Sequence, residues 1–124
     1  WDQYSHQMAN FHESYDILLT PTVADVAPKH GQFALSESLQ NQLKHMSEFD
    51  WPKQQELIWD MFANSLDWTP FTQQANLTGQ PSISLPVYRD GQGLSLGVQL
   101  TAAKGREDLL LHLAQQLEED SVFS

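Results

Sequence analysis

Two segments in the last third of the sequence alternate between apolar and polar residues, and a turn separates them. Residues 81–86 read Pro-Ser-Ile-Ser-Leu-Pro, and residues 94–100 place leucine or valine at every second position. A period of two is typical of strands, and the Asp-Gly-Gln-Gly sequence at 90–93 is typical of a tight turn. The sequence therefore predicts a β-hairpin.

A third strand is predicted earlier in the chain. Residues 16–22 (Asp-Ile-Leu-Leu-Thr-Pro-Thr) form a short apolar run that Pro21 ends. A continuous apolar run is typical of a strand that is covered on both faces, as in the interior of a parallel sheet. We therefore expect an interior parallel strand, followed by a loop over residues 23–33.

Helices are predicted for most of the other residues. Apolar side chains recur three or four positions apart in residues 1–14, 36–46 and 106–119, and in a helix that begins near Pro52. Ser36 is a candidate N-cap, and Gly79 is a typical stop for a short helix over 72–78. Thr78 and Asn76 are expected to form local hydrogen bonds at that helix end. Because no repeat or linker is visible, we expect residues 1–124 to form a single structural unit.

The composition of the chain indicates which classes of partner it is unsuited to bind. The chain has 16 acidic and 6 basic side chains, a formal net charge of -10, and no cysteine. Phosphate backbones repel so acidic a chain, and no apolar run is long enough to cross a bilayer. We therefore expect a cytoplasmic protein with neither nucleic acid nor membrane as partner, and without disulfides.

The residues alone indicate neither a metal site nor a nucleophile. His6 and His12 lie six positions apart, on different helix faces, and no two histidines have the spacing of zinc ligands. Surface positions are expected for the histidines. Ser82 and Ser84 lie in a predicted strand, without a glycine-rich turn that would expose a hydroxyl. We expect no catalytic residue, no metal and no cofactor in this chain.

Four segments, in this order, resemble the C-terminal third of the amidase signature family. They are residues 15–22 (Tyr-Asp-Ile-Leu-Leu-Thr-Pro-Thr), 71–86 (Phe-Thr-Gln-Gln-Ala-Asn-Leu-Thr-Gly-Gln-Pro-Ser-Ile-Ser-Leu-Pro), 93–100 (Gly-Leu-Ser-Leu-Gly-Val-Gln-Leu) and 106–110 (Arg-Glu-Asp-Leu-Leu). The resemblance extends from Tyr15 to about Leu117, except for the helical stretch between Phe33 and Asp67. Ser95 stands where the family pattern has proline, which bears on local hairpin geometry.

The resemblance implies an α/β sandwich with a large mixed sheet, to which this chain gives about three strands and flanking helices. It also implies that a nucleophilic serine, a second bridging serine and a lysine base lie upstream. Lys29 and Lys104 match no catalytic position. The chain begins with Trp1, inside a helical pattern, so we expect a C-terminal fragment whose first partner is the missing N-terminal part of the same polypeptide.

Two groups of residues are the candidates for the wall of an acyl pocket. Ligand sites in α/β sheets gather at strand ends, and the resemblance directs attention to the start of the helix in its second motif. The candidates for contact with a small-molecule amide substrate are Thr20, Pro21, Thr22, Thr69, Phe71 and Thr72.

Three functions agree with this sequence. In the first, the full-length polypeptide, here called the parent, is a serine amidase. It cleaves a carbon–nitrogen bond other than a peptide bond through an acyl-enzyme, and this piece scaffolds the sheet. In the second, the parent is an amidotransferase subunit that passes ammonia from an amide donor to a charged transfer RNA. In the third, the chain is a non-enzymatic binding or assembly module that unfolds cooperatively by itself.

The tryptophans around the second helix of the central region form its most aromatic surface. Trp51, Trp59 and Trp68 suit a core contact, a pocket wall or an interface, and core is the commonest role of such residues. A cut sheet and apolar patches favour self-association. We therefore expect a homo-oligomer through this region or through the sheet edge.

Overall fold

The computed structural model describes residues 1–123. In chain order the elements are α1 (Asp2–Phe11), β1 (Ile17–Pro21), α2 (Glu37–Lys44), a 3₁₀ turn (Met46–Glu48), α3 (Trp51–Trp68), α4 (Thr72–Thr78), β2 (Ser82–Arg89), β3 (Ser95–Ala102) and α5 (Glu107–Glu119). Helices flank a three-stranded sheet, which confirms the predicted α/β class. None of the helices within residues 1–123 has the length and apolar character needed to cross a membrane.

The chain packs as two compact units. One contains Trp1–Ala27 together with the chain from Thr69 onward, and the other is Pro28–Trp68. The second unit falls in the region where the sequence shows no family motif. The single structural unit expected over residues 1–124 stays a prediction.

The sheet lies in the first unit and has the strand order β1-β3-β2, with both pairs antiparallel. β2 and β3 form the predicted hairpin. Asp90 closes its turn, since the carboxylate Oδ1 accepts hydrogen bonds from the amides of Gln92 and Leu94, each at 2.8 Å. β1 pairs with the other side of β3. The second strand of the hairpin is therefore the centre of the sheet.

Within the described residues, β1 is an antiparallel edge strand and not the interior parallel strand that its apolar run predicted. Among the strands of residues 1–123 it pairs with β3 alone, it runs antiparallel to it, and it lies at the edge of the sheet. Leu19 keeps 65% of its surface exposed. An apolar run shows that a strand is suited to burial, but it does not specify the direction of the neighbouring strand.

One face of the sheet packs against α5. Leu85 and Leu100 of the hairpin are buried with Ala102 and with Leu110 of α5. The partly buried apolar residues around them include Ile17, Ile83, Val98, Leu113 and Leu117. Alternation along the strands and helical spacing along α5 predict both sides of this core.

β2 continues beyond its predicted end at Pro86. Leu85 pairs with Val98 and Tyr88 pairs with Leu96, so β2 has one more residue than β3 between these pairs. Such a β-bulge accommodates proline, which has no amide hydrogen to give to the ladder. The ladder resumes after the bulge and ends with Arg89 opposite Ser95, so the hairpin closes without proline at position 95.

The second unit is the predicted pair of helices. Ser36 caps α2, because its Oγ accepts the amide of Leu39 at 3.2 Å. Leu57 of α3 is fully buried, and Phe33 packs edge-on against Trp68 with 5.3 Å between ring centroids. The core role is wrong for the other two tryptophans, since Trp51 and Trp59 are 71% and 67% exposed.

Candidate functional site

Polar side chains gather on the face of the sheet that does not pack against α5. Thr20 and Ser84 both lie opposite Gln99, and Ser82 lies opposite Thr101. Residues that are directly opposite in an antiparallel pair point to the same face. Gln99 and Thr101 are buried. Of the candidate residues of β1, Thr20 thus belongs to a face with threonine, serine and glutamine side chains, whereas Pro21 lies opposite Val98 on the other face.

A hydroxyl just after β1 and a hydroxyl on β2 meet across the central strand of the sheet. Thr22 Oγ1 and Ser84 Oγ lie 2.6 Å apart, although β3 separates β1 from β2. The Thr22 amide donates to the carbonyl of Gly97 at 2.9 Å. A Cβ atom on Gly97 would lie 2.8 Å from Thr22 Oγ1 and nearer still to Ser84 Oγ. The contact between the two hydroxyls therefore depends on the missing side chain at position 97.

The other two candidates on β1 differ in exposure. Thr20 Oγ1 is buried and has no hydrogen-bond partner among residues 1–123. Pro21 is exposed and lies opposite Val98. A buried hydroxyl without a partner costs about 1–3 kcal/mol. Thr20 is thus the polar group of this face whose hydrogen-bonding capacity is unused.

The second predicted group lies at the start of α4. Thr72 Oγ1 donates to the carbonyl of Thr69 at 3.4 Å, and the Gln73 side-chain amide donates to the same carbonyl at 3.2 Å. Phe71 precedes the helix without capping it and is 37% exposed. The structure brings Thr69 and Thr72 together. Substrate contact by these residues stays a prediction, as it does for Thr20, Pro21 and Thr22.

A polar network that the sequence did not predict joins α1 to the end of α4. Nδ1 of His12 lies 2.9 Å from the carbonyl oxygen of Tyr15, and Nε2 lies 2.8 Å from Nε2 of Gln80. Because a carbonyl only accepts, the hydrogen bonds assign the ring proton to Nδ1, and Nε2 accepts from Gln80. His12 is only partly exposed and uses both ring nitrogens, which the expectation of a surface position did not predict.

Gln80 is the centre of this network. Its Nε2 also donates to the carbonyl of Ala102 at 3.0 Å, and only 8% of the residue is exposed. Thr78 Oγ1 lies 2.9 Å from both Gln80 Oε1 and the carbonyl oxygen of Gln74, and its single hydrogen serves one of them. The local hydrogen bonding predicted for Thr78 is confirmed. For Gln80 the sequence gives a polar residue between glycine and proline, with no sign of burial.

A cavity of about 550 Å³ opens beside His12 and Gln80. Its polar and charged wall residues are Asp2, Ser5, His6, His12, Glu13, Gln80 and Lys104. A second, apolar groove of about 330 Å³ lies on α3 and is lined by Gln55, Ile58, Trp59, Phe62 and Leu66. None of the six predicted pocket residues lines either cavity.

One carboxyl group has a clearly shifted pKa. Arg106 Nε lies 3.1 Å from Oδ1 of Asp108, and this hydrogen bond, with a further one from the Leu109 amide, holds the pKa of Asp108 below its usual value. Asp108 lies in the first turn of α5, where a negative charge is favourable. No group of three His, Asp or Glu side chains within residues 1–123 is placed to hold a metal ion.

Comparison with known proteins identifies the family. The amidase family model matches residues 1–111. A lipoamidase from Enterococcus faecalis is 38% identical over 111 residues, which are 90% of this chain and 15% of the relative. The 6-aminohexanoate-cyclic-dimer hydrolase from Pseudomonas sp. (strain NK87) is 36% identical over 104 residues, which are 84% of this chain and 18% of the relative. The chain therefore belongs to the amidase family, as its motifs predicted.

The fold agrees with that assignment. The solved structure of a 6-aminohexanoate cyclic dimer hydrolase complexed with substrate superposes with a TM-score of 0.72 at 35% identity, over 95% of this chain and 22% of that chain. The chain thus spans less than a quarter of the length of these relatives.

Proposed function

We propose that this chain is the C-terminal part of an amidase-type hydrolase that cleaves carbon–nitrogen bonds other than peptide bonds through an acyl-enzyme. The observation that carries the proposal is the family match over residues 1–111, with relatives of which this chain spans 15% and 18%. The catalytic groups of such an enzyme lie in the rest of the polypeptide. That N-terminal part is then the first partner of this chain.

The hydroxyls inside this chain support a role without catalysis. Ser82 Oγ lies 2.7 Å from Thr101 Oγ1, and Ser84 Oγ lies 2.6 Å from Thr22 Oγ1. In both pairs the partner is a threonine hydroxyl, which is too weak a base to activate a serine. A nucleophilic serine needs a base such as lysine or histidine at hydrogen-bond distance. We infer that neither serine forms the acyl-enzyme.

The first proposed role is to scaffold the sheet. β1 uses one of its edges for β3, and its other edge offers backbone donors and acceptors. A strand from the rest of the polypeptide that pairs there extends the sheet and places β1 in its interior. Such pairing also explains the apolar run of β1 and the exposure of Leu19 in the chain by itself.

The second proposed role is to line the acyl pocket. We assign this role to Thr20, Pro21 and Thr22 at the end of β1, and to Thr69, Phe71 and Thr72 at the start of α4. Thr20 supports the assignment because its hydroxyl has no partner among residues 1–123. The substrate is a small-molecule amide, and the net charge of -10 speaks against direct contact with nucleic acid. A cytoplasmic location stays a prediction.

A chimera tests the proposal. The 104 aligned residues of this chain replace the matching segment of the 6-aminohexanoate-cyclic-dimer hydrolase from Pseudomonas sp. (strain NK87), and hydrolysis of the cyclic dimer is assayed by chromatography. We expect hydrolysis by the chimera and none by this chain alone. Hydrolysis by the chain alone, or a folded chimera without activity, contradicts the proposal.

A further inference from the structure

Thr22, which follows the end of β1, contacts Ser84 of β2 through their side-chain hydroxyls. In the order β1-β3-β2 the two outer strands have no backbone hydrogen bonds to each other. Thr22 nevertheless reaches Ser84, 62 positions away in the sequence, with 2.6 Å between the hydroxyl oxygens. The central strand allows this because Gly97 leaves the space between them open. We call this arrangement of Thr22, Ser84 and Gly97 the Gly97 window.

Space, and not backbone conformation, is the reason for glycine here. Gly31, Gly79, Gly93 and Gly105 have a positive φ, whereas Gly97 does not. Alanine therefore fits the backbone at position 97. Its Cβ, however, would overlap Ser84 Oγ and lie 2.8 Å from Thr22 Oγ1. Contacts this short force one of the two hydroxyls to move.

The window lies at the end of β1, beside the bulge of β2. Thr22 is the first residue after β1. The hydrogen bond from its backbone amide to the carbonyl of Gly97 closes the ladder. On the partner strand, the bulge of β2 between Leu85 and Tyr88 lies beside the same glycine. A bulge disrupts the regular ladder. The hydroxyl bridge adds a tie between β1 and β2 at this irregular point.

We propose that Gly97 and Ser84 are positioning residues for Thr22: the open space at Gly97 lets the Thr22 and Ser84 hydroxyls bond across β3, and this bond holds residues 20–22 in place. The inference rests on the proposed function for one part, since residues 20–22 are the candidate acyl-pocket wall. The tie itself is independent of any activity. The two parts are therefore tested separately.

The first test measures the tie in this chain. Native-state hydrogen exchange of the Thr22 amide, followed by NMR, reports local opening of the end of β1. Thr22→Val and Ser84→Ala each remove one hydroxyl and should speed this exchange about three- to tenfold, as expected for the loss of one hydrogen bond. The double variant should be no faster than either single one. Gly97→Ala should speed exchange as well, and it should do so less in the Ser84→Ala background.

A matched control separates the tie from a general effect of losing a serine hydroxyl. Ser82→Ala removes a hydroxyl two positions earlier on the same strand and the same face, whose partner Thr101 lies on β3 and not on β1. This variant should leave Thr22 exchange unchanged. Equal exchange in the Ser82→Ala and Ser84→Ala variants overturns the proposal.

The second test measures the consequence for the pocket in the chimera. A displaced pocket wall weakens ground-state and transition-state binding alike, which raises KM and leaves kcat unchanged. We expect Thr22→Val and Ser84→Ala to raise KM about three- to tenfold, and Ser82→Ala to leave KM unchanged. An active chimera with the same KM in all variants overturns the pocket part alone. An inactive chimera overturns the proposed function, and Thr22 exchange still decides whether the tie exists.

Discussion

The side-chain amide of Gln80 donates to the ring of His12, with 2.8 Å between the two Nε2 atoms and 68 positions between them in the sequence. The same amide nitrogen holds the carbonyl of Ala102 at the end of β3. Gln80 thus connects the end of α1, the segment after α4 and the central strand. One buried side-chain amide therefore links three segments of the first unit.

Loss of the Gln80 amide should destabilise the chain. Gln80→Met keeps a similar shape but leaves the Ala102 carbonyl and His12 Nε2 without their donor. We expect a loss of about 1–3 kcal/mol in the free energy of unfolding, measured by urea denaturation. Gln92→Met, in the exposed hairpin turn, should change it by less than about 0.5 kcal/mol. Equal effects of the two substitutions refute the role of Gln80.

Two threonine hydroxyls should make very different contributions to the free energy of unfolding. Thr20→Val removes a buried hydroxyl without a partner and should leave stability unchanged or raise it by up to about 1 kcal/mol. Thr78→Val removes a hydroxyl that bonds to Gln80 or Gln74 in a buried place, and should cost about 1–2 kcal/mol. Thermal unfolding of both variants makes the comparison. The account fails here if Thr20→Val is the more costly change.

The end of α4 should require glycine. Gly79 has a φ of 69°, in the left-handed region, and its amide donates to the carbonyl of Ala75 at 2.8 Å. An L-residue with a side chain pays about 1–2 kcal/mol in this conformation. We therefore expect Gly79→Ala to lower the free energy of unfolding by that amount. Gly91→Ala is the control, since Gly91 has no positive φ and open space around its Cβ position, and it should be neutral.

The pH dependence of stability should reveal the ion pair at the start of α5. Because the Arg106 side chain lowers the pKa of Asp108 in the folded state, the ionised carboxylate stabilises the fold above its unfolded pKa, near 3.8. This contribution disappears as the pH falls through the folded pKa. Unfolding titrations of the unsubstituted chain and of Asp108→Asn should therefore differ at pH 7, and the difference should shrink as the pH falls below about 3.8. A constant difference contradicts the assignment.

We propose that the chain by itself associates through apolar surfaces. The two candidates are the edge of β1 with exposed Leu19, and the α3 surface with Trp51 and Trp59. Sedimentation velocity at tens of micromolar, an order-of-magnitude choice for exposed edges, should show dimers or larger species. Leu19→Lys blocks a strand edge, and Trp59→Gln removes apolar area, so the variant that restores a monomer identifies the surface. A compact monomer of the unsubstituted chain refutes the proposal.

Local sequence periodicity predicted the elements whose partners are close in the sequence. The hairpin, the cap at Ser36 and the leucine stripe of α5 all follow from spacing within one or two elements. The bulge after Leu85 did not, because the sequence pattern predicts that β2 ends at Pro86. The direction of β1 did not either, because its pairing with β3 depends on residues far away in the chain. The tie between Thr22 and Ser84 and the bond between His12 and Gln80 were missed for the same reason: they join residues 62 and 68 positions apart.

The candidate site was predicted less completely than the fold. The end of β1 was selected because of its place at a strand end, and the structure adds Gly97 and Ser84 as its neighbours. A glycine within an alternating strand is a sequence signal for close approach of other groups. The position of Gly97 between leucine and valine therefore contained this information, although the residues that approach it become known only from the sheet register.

The location of the acyl group tests the central claim most directly, which is that this chain supports and lines an amidase site without catalysing. The active chimera is mixed with an amide substrate, quenched with acid during turnover, digested and analysed by mass spectrometry. We predict the acyl group on a serine of the segment contributed by the 6-aminohexanoate-cyclic-dimer hydrolase. An acyl group on Ser82, Ser84 or any other residue of this chain would contradict the account.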